Sequence, residues 1–156
     1  MTALLQFHHV GVPVTQGSKK AFVTRGARPR AVVVDTNSDL LKPWREGVRE
    51  SAVTAAGEGW IPLAGPVAVR VLFALPRPAS APVRTRTWPI GARSGDLDKL
   101  LRAIFDALTD AAIWRDDSQA VETYVVKDYP GRSVAQTVPG VIVQIQHPTD
   151  TTGALL

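Results

Sequence analysis

The chain has 156 residues, enough for one compact domain with one hydrophobic core and short for two. Hydrophobic residues make up 45% and charged residues 21%, a composition that excludes disordered, collagen-like and fibrous classes. The absence of cysteine excludes disulfides, thiolate metal sites and cysteine nucleophiles. The net charge of +4 would indicate a class of binding partner only if the charges were clustered. No apolar run or leader pattern indicates a membrane span or secretion, so we expect a soluble cytoplasmic protein with no membrane partner.

The first third of the chain predicts two strands and a helix. Residues 10–14, preceded by residues 4–9, are expected to form a first strand and residues 31–34 a second, paired as a hairpin around a basic loop. Residues 36–39 have the composition of a helix start. Apolar residues then recur at helical spacing up to Gly57, which predicts an amphipathic helix of about four turns; they are Leu41, Trp44, Val48, Ala52 and Ala55.

The rest of the chain predicts a strand over residues 67–74, a second helix and two final strands, over residues 118–127 and 140–146. The second helix has one unbroken apolar stripe, made of Leu97, Leu100, Leu101, Ile104, Phe105 and Leu108. Residues 76–95 contain arginines and prolines but no acid, so we expect a long substrate-contacting loop there. The pattern favours a single α+β domain over residues 1–148, two helices on one mixed sheet, with a frayed tail over residues 149–156.

Charges of opposite sign are segregated along the chain. Basic residues without acids occupy residues 17–30 and recur between Arg70 and Arg93, whereas most of the aspartates fall between Asp96 and Asp117. An acidic focus flanked by basic segments suits a polyanion that must also meet a metal ion. The three histidines lack metal-ligand spacing, and Ser18 and Ser94 lack a nearby base.

Asp96 and Asp98 can converge only if the second helix starts at residue 97 or 98, because residues two apart diverge on a helix but share a side in an extended segment. The apolar stripe begins at Leu97, which satisfies this condition. Convergent carboxylates suit Mg²⁺, although aspartates at a helix start are commonly explained by the unpaired N–H groups and the helix dipole. Arg102, one turn after Asp98, would meet a phosphate or belong to a surface ion-pair ladder with Asp98 and Asp106.

Asp116 and Asp117 precede the next strand, and at most one of them can join Asp96 and Asp98, because adjacent strand residues face opposite ways. The apolar pattern of the strand leaves open which one. A solvated turn is the common explanation of such a pair when it stands alone.

Together these motifs resemble the RusA family of Holliday junction endodeoxyribonucleases. They are D-x-D at residues 96–98, F-D-A-L at residues 105–108 and W-x-D-D-x-Q at residues 114–119, followed by Lys127. Residues 14–20, 42–45 and 65–78 also look like family landmarks. The resemblance implies a homodimeric α+β nuclease that uses Mg²⁺, or alternatively Mn²⁺, to cut symmetrically placed strands of branched DNA, the four-way junction, in recombination and repair.

By position in the motifs, the resemblance places the family's catalytic, metal-binding aspartates on Asp96, Asp98 and Asp117, with Asp116 a weaker candidate. Arg102 stands where the family pattern expects a lysine, and Lys99 where asparagine is common. In this interpretation the metal activates water and offsets charge on the phosphate, and Arg102 assists electrostatically. The expected contacts to the DNA backbone are Lys19, Lys20, Arg84, Arg86, Arg93 and, with less support, Lys127. The alternatives are a nuclease for other branched DNA and a non-catalytic nucleic-acid-binding dimer.

Overall fold

The computed structural model describes residues 2–17, 19–35 and 38–150, with side chains except at residues 19–22, 33–35 and 38. The strands are β1 (Leu5–Val10), β2 (Lys19–Val23), β3 (Ala31–Asp35), β4 (Val67–Ala74), β5 (Ala120–Asp128) and β6 (Gly140–Gln146). The helices are α1 (Ser38–Ala56) and α2 (Leu97–Asp110), and short 3-10 turns at Ala92–Ser94 and Asp117–Gln119 precede α2 and β5.

The main sheet has the strand order β1-β6-β4-β5, and β2 and β3 form a separate two-stranded sheet. Strand β6 runs antiparallel to β1 and β4, while β4 and β5 are parallel and are connected through α2. The expected α+β class, with a mixed sheet and two helices, is therefore confirmed. Because α2 returns the chain between parallel strands, its first residues lie at the carboxyl end of β4 and β5.

The core lies between one face of the main sheet and the two helices. In β6 the side chains of Val141, Val143 and Ile145 are fully buried, and their alternation with more exposed neighbours shows that the other sheet face is outside the core. From α2, the same core contains three buried residues of the predicted apolar stripe and two alanines beside it, whereas Leu97, the first residue of the stripe, is exposed. The buried residues are Leu100, Ile104 and Leu108 with Ala103 and Ala107. This burial fixes both the position of α2 on the sheet and the direction in which its first turn points.

The N-terminal hairpin predicted from the sequence pairs the wrong strands. The first strand ends at Val10, and residues 11–17 run as a loop because Pro13 has no N–H to give to a ladder. Strand β1 pairs with β6 instead, in the register Leu5↔Ile145. The hairpin forms between β3 and β2, which lies inside the segment predicted as a basic loop.

The other elements agree closely with the prediction. Strand β4 and strand β6 have the expected bounds, and α2 begins at Leu97. Helix α1 has 19 residues, about five turns at 3.6 residues per turn, so it is about one turn longer than expected. Thr36, Asn37 and the tail residues 151–156 lie outside the described residues, whereas Thr149 donates its backbone N–H to the Glu122 carboxylate at 2.9 Å. No helix in the described part of the chain is long and apolar enough to cross a membrane.

Candidate active site at the start of helix α2

Asp96 and Asp98 flank the first residue of α2, as the sequence predicts. Asp96 is the residue before the helix, with extended backbone (φ −74°, ψ 138°), and Asp98 lies in the first turn. Both side chains are exposed. Asp96 makes no side-chain capping hydrogen bond, and its Oδ2 instead pairs with Lys99 Nζ at 2.9 Å. Capping therefore does not explain why an aspartate stands at residue 96.

Gly95 fixes the approach of the chain to this pair. Its φ is +80°, and a Cβ added there would lie 2.3 Å from Thr15 Cγ2, so a side chain would be strained by the backbone and by contact. The loop of residues 11–17 reaches this point and is tied to the first turn of α2, where the Gln16 N–H donates to the Lys99 carbonyl at 3.0 Å. Glycine at residue 95 allows this close packing, which places Asp96.

Lys127, near the end of β5, binds the same short segment from the sheet side. Its Nζ donates to the Gly95 carbonyl at 2.7 Å and to Ser94 Oγ at 3.0 Å. The hydrogen bond and charge of Lys99, with a weaker contribution from the charge of Lys127, lower the pKa of Asp96 below its ordinary value. Asp96 is therefore a carboxylate at neutral pH, with cations on two sides.

Arg102 is exposed on α2 one turn beyond Asp98. The surface ladder offered as its alternative explanation is not formed, because Arg45 of α1 binds the acids further along α2, with Nη1 3.8 Å from Asp106 and Nη2 2.7 Å from Asp110. Within the described part of the chain, Arg102 has no ion pair or side-chain hydrogen bond. Its guanidinium is free to meet an anion beside the carboxylate pair.

Asp116 and Asp117 differ sharply in what they do. Asp116 begins the 3-10 turn before β5, and its Oδ1 accepts the Ser118 N–H at 2.9 Å. Hydrogen bonding from the Ser118 side chain, with a further contribution from this N–H, lowers the pKa of Asp116 below its ordinary value. Asp117 is exposed, and its carboxylate has no hydrogen bond or ion pair to any residue that the structure describes. The structure thus leaves Asp117 available and gives Asp116 a local structural role.

Gln119 holds the turn that presents Asp117. Its Oε1 accepts the N–H groups of Arg115 and Asp116 at 2.8 and 2.9 Å. Its Nε2 donates to the carbonyls of Leu63 and Gly65 at 2.8 and 2.9 Å. Gln119 belongs to the W-x-D-D-x-Q motif, and its spacing of three residues from Asp116, typical of a capping box, is the sequence signal for this role.

The structure does not bring Asp117 to Asp96 and Asp98 within one chain. Asp117 stands before the first residue of β5, whereas Lys127, near the end of that strand, contacts Gly95. Helix α2, with 14 residues, spans about 21 Å at 1.5 Å per residue and separates the two ends. No group of three or more histidines, aspartates or glutamates able to hold a metal ion is found among residues 2–17, 19–35 and 38–150.

The residues expected to contact DNA fall into different environments. Arg93 and Lys127 lie at the same end of the sheet as Asp96, and Arg84 is exposed on the loop after β4. The side chains of Lys19 and Lys20 lie outside the described ones. None of these placements tests DNA binding, which stays a prediction for each residue.

Arg86 is anchored to the protein, which the sequence analysis did not anticipate. Its guanidinium donates to both carboxylate oxygens of Asp128, at 2.9 and 2.5 Å, and stacks 3.7 Å from the centre of the Trp88 ring. Asp128 is fully buried and also accepts the N–H groups of Tyr129 and Ser133 at 2.7 and 2.9 Å. Burial opposes its ionisation, but the bonds from Arg86 and Ser133 outweigh this and hold the pKa of Asp128 far below its ordinary value. The pair fastens the long loop to the end of β5.

Comparison with known proteins identifies a matching family model and several partial relatives. A family model described as Endodeoxyribonuclease RusA matches residues 11–146. The chain is also 57% identical over 35 residues to crossover junction endodeoxyribonucleases RusA of Escherichia coli strain K12 and of Shigella sonnei, and equally to the rusA enzyme of Enterobacteria phage 82. Each of these matches covers 22% of this chain and 29% of the relative, so the aligned part spans less than a third of those proteins.

Proposed function

The chain belongs to the RusA family of endodeoxyribonucleases, and from this premise we propose that it is a metal-dependent enzyme that hydrolyses phosphodiester bonds at four-way DNA junctions in recombination and repair. One observation carries the proposal: Asp96 and Asp98 stand exposed at the start of α2, beside a free Arg102. Two exposed carboxylates beside a cation that no described residue binds suit a metal ion and a phosphate.

The donor set fits Mg²⁺, and Mn²⁺ as an alternative. Asp98 and Asp117 offer carboxylates that no described residue binds, and the one described ion pair of Asp96 is with the half-buried Lys99. Hard divalent cations take oxygen ligands of this kind and keep further positions for water and phosphate. When bound there, such an ion would lower the pKa of a water molecule and offset the negative charge of the phosphate.

The chain's own residues have separate tasks in this proposal. Arg102 contacts a non-bridging phosphate oxygen and stabilises the charge that develops as phosphorus is attacked. Lys127 positions the carboxylate pair, because its ammonium already holds Ser94 and Gly95. Arg84 and Arg93 contact the DNA backbone, and the affinity that these contacts supply decreases as the salt concentration rises.

We further propose that the protein works as a homodimer whose two metal sites are shared between chains. Support comes from the separation of Asp117 from Asp96 and Asp98 by the length of α2. A two-fold axis would bring Asp117 of one protomer to the carboxylate pair of its partner, and would do so twice. Two equivalent sites match the two equivalent strands of a four-way junction.

The open edge of β5 offers the place for the second copy. Among the strands that the structure describes, β5 pairs with β4 alone, and it exposes Val121 and Tyr124 by 63% and 53%. A bare strand edge with apolar side chains is a template for pairing with another chain. Antiparallel pairing of β5 with β5 of a second copy sets the start of one strand beside the end of the other. This is the placement that joins Asp117 to the Lys127 end of its partner.

The test compares cleavage of a synthetic four-way junction with a linear duplex of the same sequence, with and without Mg²⁺. We expect paired, Mg²⁺-dependent cuts in the junction alone, and their loss in Asp98→Asn with binding retained. Asp110→Asn, on the same helix and paired with Arg45, is the matched control and should cut normally. Cleavage of flaps but not junctions would favour another branched substrate. Junction binding without any cleavage would favour a non-catalytic DNA-binding dimer.

A further inference from the structure

A cavity of about 360 Å³ lies beside the start of α2, outside the carboxylate pair. It is bounded by the segment after β1, the segment after β4 and the loop before α2. All of these meet at the carboxyl end of the parallel strands β4 and β5, the edge where open α/β sheets usually bind ligands. The volume is within the range of small-molecule sites, roughly 300–1,000 Å³.

The walls of the cavity combine flat apolar surfaces with positive charge. Pro13, Pro76, Pro89 and the ring of Tyr129 supply the apolar part. Arg77 and Arg93 also line it, and none of the described residues that line it is acidic. Planar apolar walls with cations and no carboxylate suit an aromatic ring carried on an anionic chain, which describes a nucleobase and its phosphates.

The two cations differ in how freely they can act. The Arg77 guanidinium donates to the carbonyl of Pro82 and so is partly held in its own loop. Arg93 is exposed and has no ion pair or side-chain hydrogen bond within the described part of the chain. Arg93 is therefore the cation available to donate to a base edge or to the adjoining phosphate.

The cavity is joined directly to the candidate active site through Ser94. Ser94 lines it and also accepts the hydrogen bond from Lys127, and the chain reaches Asp96 two residues later. A nucleotide whose phosphate lies at Asp96 therefore has its base next to the opening of the cavity. At a branch point the bases are less firmly stacked than in a duplex, so unstacking one of them costs least there.

We propose that this cavity receives the unstacked nucleobase beside the cleaved phosphodiester and sets the nucleotide preference of cleavage. The inference rests on the proposed function, which it extends from branched DNA to a particular nucleotide in it. Gly91 gives a way to fill the cavity without disturbing the backbone. It lines the cavity, has φ −69° and ψ 155°, which any residue adopts, and nothing lies within 4 Å of an added Cβ.

The experiment measures binding to four-way junctions in EDTA, where cleavage does not contribute. One junction is intact, and the other lacks the base beside the bond that the unsubstituted protein cuts. We expect loss of that base to weaken binding by the unsubstituted protein about tenfold, in line with base stacking on protein side chains. Gly91→Leu should weaken binding to the intact junction by a similar factor and be insensitive to the missing base. Thr54→Leu, at an exposed position on α1 outside the cavity, is the matched control.

A second readout compares cleavage rates of junctions that carry each of the four nucleotides at that position. The unsubstituted protein should prefer one of them, and Gly91→Leu should cut all four at similar rates. If Gly91→Leu keeps the preference, or if the missing base and the substitution weaken binding independently, the cavity proposal is overturned while junction cleavage stands. If the unsubstituted protein neither cuts nor prefers junctions, the proposed function fails and this inference fails with it.

Discussion

Lys127 and Gly95 are joined by a hydrogen bond of 2.7 Å between Nζ and the carbonyl oxygen, which ties the end of β5 to the residue before the carboxylate pair. The same ammonium binds Ser94 Oγ, so the last turn before α2 is fixed from the sheet. On its other side, Gly95 packs against Thr15. The start of α2 is thus a rigid platform at the end of β5. Asp117 is held on a second platform, at the start of β5.

The separation of these two platforms leads to the first prediction. Asp98→Asn and Asp117→Asn should each be inactive alone, because each removes a carboxylate from both sites of a homodimer. Mixed under conditions that exchange protomers, they should regain cleavage, since the heterodimer contains one site with neither substitution. This site should nick one strand of a four-way junction and leave the paired strand uncut, as a gel of end-labelled strands will show.

The control for this mixing experiment is Asp96→Asn with Asp98→Asn. Both substitutions fall on the same platform, so every site of every mixed dimer carries one of them and no activity should return. Recovery in this control, or no recovery when Asp98→Asn and Asp117→Asn are mixed, would contradict a site shared between chains. Light scattering of the unsubstituted protein at micromolar concentration should independently show a dimer.

The second prediction concerns the close approach at Gly95. Gly95→Ala should lower the melting temperature by several degrees, since a Cβ meets Thr15 Cγ2 at 2.3 Å and the φ of +80° disfavours a side chain. Because the strain falls beside Asp96, cleavage should fall more than junction binding. Adding Thr15→Ser should recover part of the loss in a double-mutant cycle, as it removes the contacting methyl group and leaves the backbone strain. Equal melting temperatures for Gly95→Ala and the unsubstituted protein would refute this account.

The carboxylate pair could be predicted from the sequence because its geometry is local. The apolar stripe starting at Leu97 fixes the helix start, and the helix start decides that Asp96 is extended while Asp98 is helical. The core positions of α2 follow from the same period. The hairpin was assigned to the wrong strands because pairing depends on distant partners, such as Ile145 for Leu5, which no local pattern reveals.

Two features of the site could not be predicted for the same reason. The separation of Asp117 from Asp98 depends on the direction of α2 relative to β5, which is a property of the whole sheet. The partner of Arg86 is Asp128, 42 residues away, and an arginine in a basic loop looks like a DNA contact until that carboxylate is placed. The metal, the dimer and the DNA contacts remain predictions.

The third prediction separates two arginines that the sequence treats alike. Arg84 is exposed on the loop, whereas Arg86 fastens the loop to buried Asp128. When the log of the affinity for junction DNA is plotted against the log of the salt concentration, Arg84→Ala should reduce the magnitude of the slope by about one. The substitution should leave stability unchanged. Arg86→Ala should instead lower the melting temperature by on the order of 5 °C. An unchanged salt slope in Arg84→Ala would remove that residue from the DNA contacts.

The pH dependence of stability tests the Arg86 to Asp128 pair further. The pKa of Asp128 is lowered in the folded protein, so the pair stabilises fully above the ordinary value of 3.8 and less as the pH falls below it. In that range the Asp128 carboxylate becomes protonated in the unfolded chain but stays ionised in the folded protein. The difference in unfolding free energy between the unsubstituted protein and Asp128→Asn, from urea titrations, should therefore shrink between about pH 6 and about pH 3. A constant difference would mean that ionised Asp128 does not stabilise the loop.

The last prediction concerns Arg102, which stands unpaired one turn beyond Asp98 while Arg45 occupies Asp106 and Asp110. If Arg102 meets the scissile phosphate, Arg102→Ala should lower the single-turnover rate by about 10² to 10³, as loss of one group that stabilises transition-state charge does elsewhere. Junction affinity and melting temperature should change little, because the side chain is exposed and forms no ion pair with any residue that the structure describes. Arg102→Lys should retain most of the rate, since an ammonium supplies the same charge with fewer donors. A full rate in Arg102→Ala would exclude Arg102 from the active site and leave the three aspartates to carry the chemistry, whereas a lost rate in Arg102→Lys would mean that the planar, two-pronged geometry of the guanidinium is itself required.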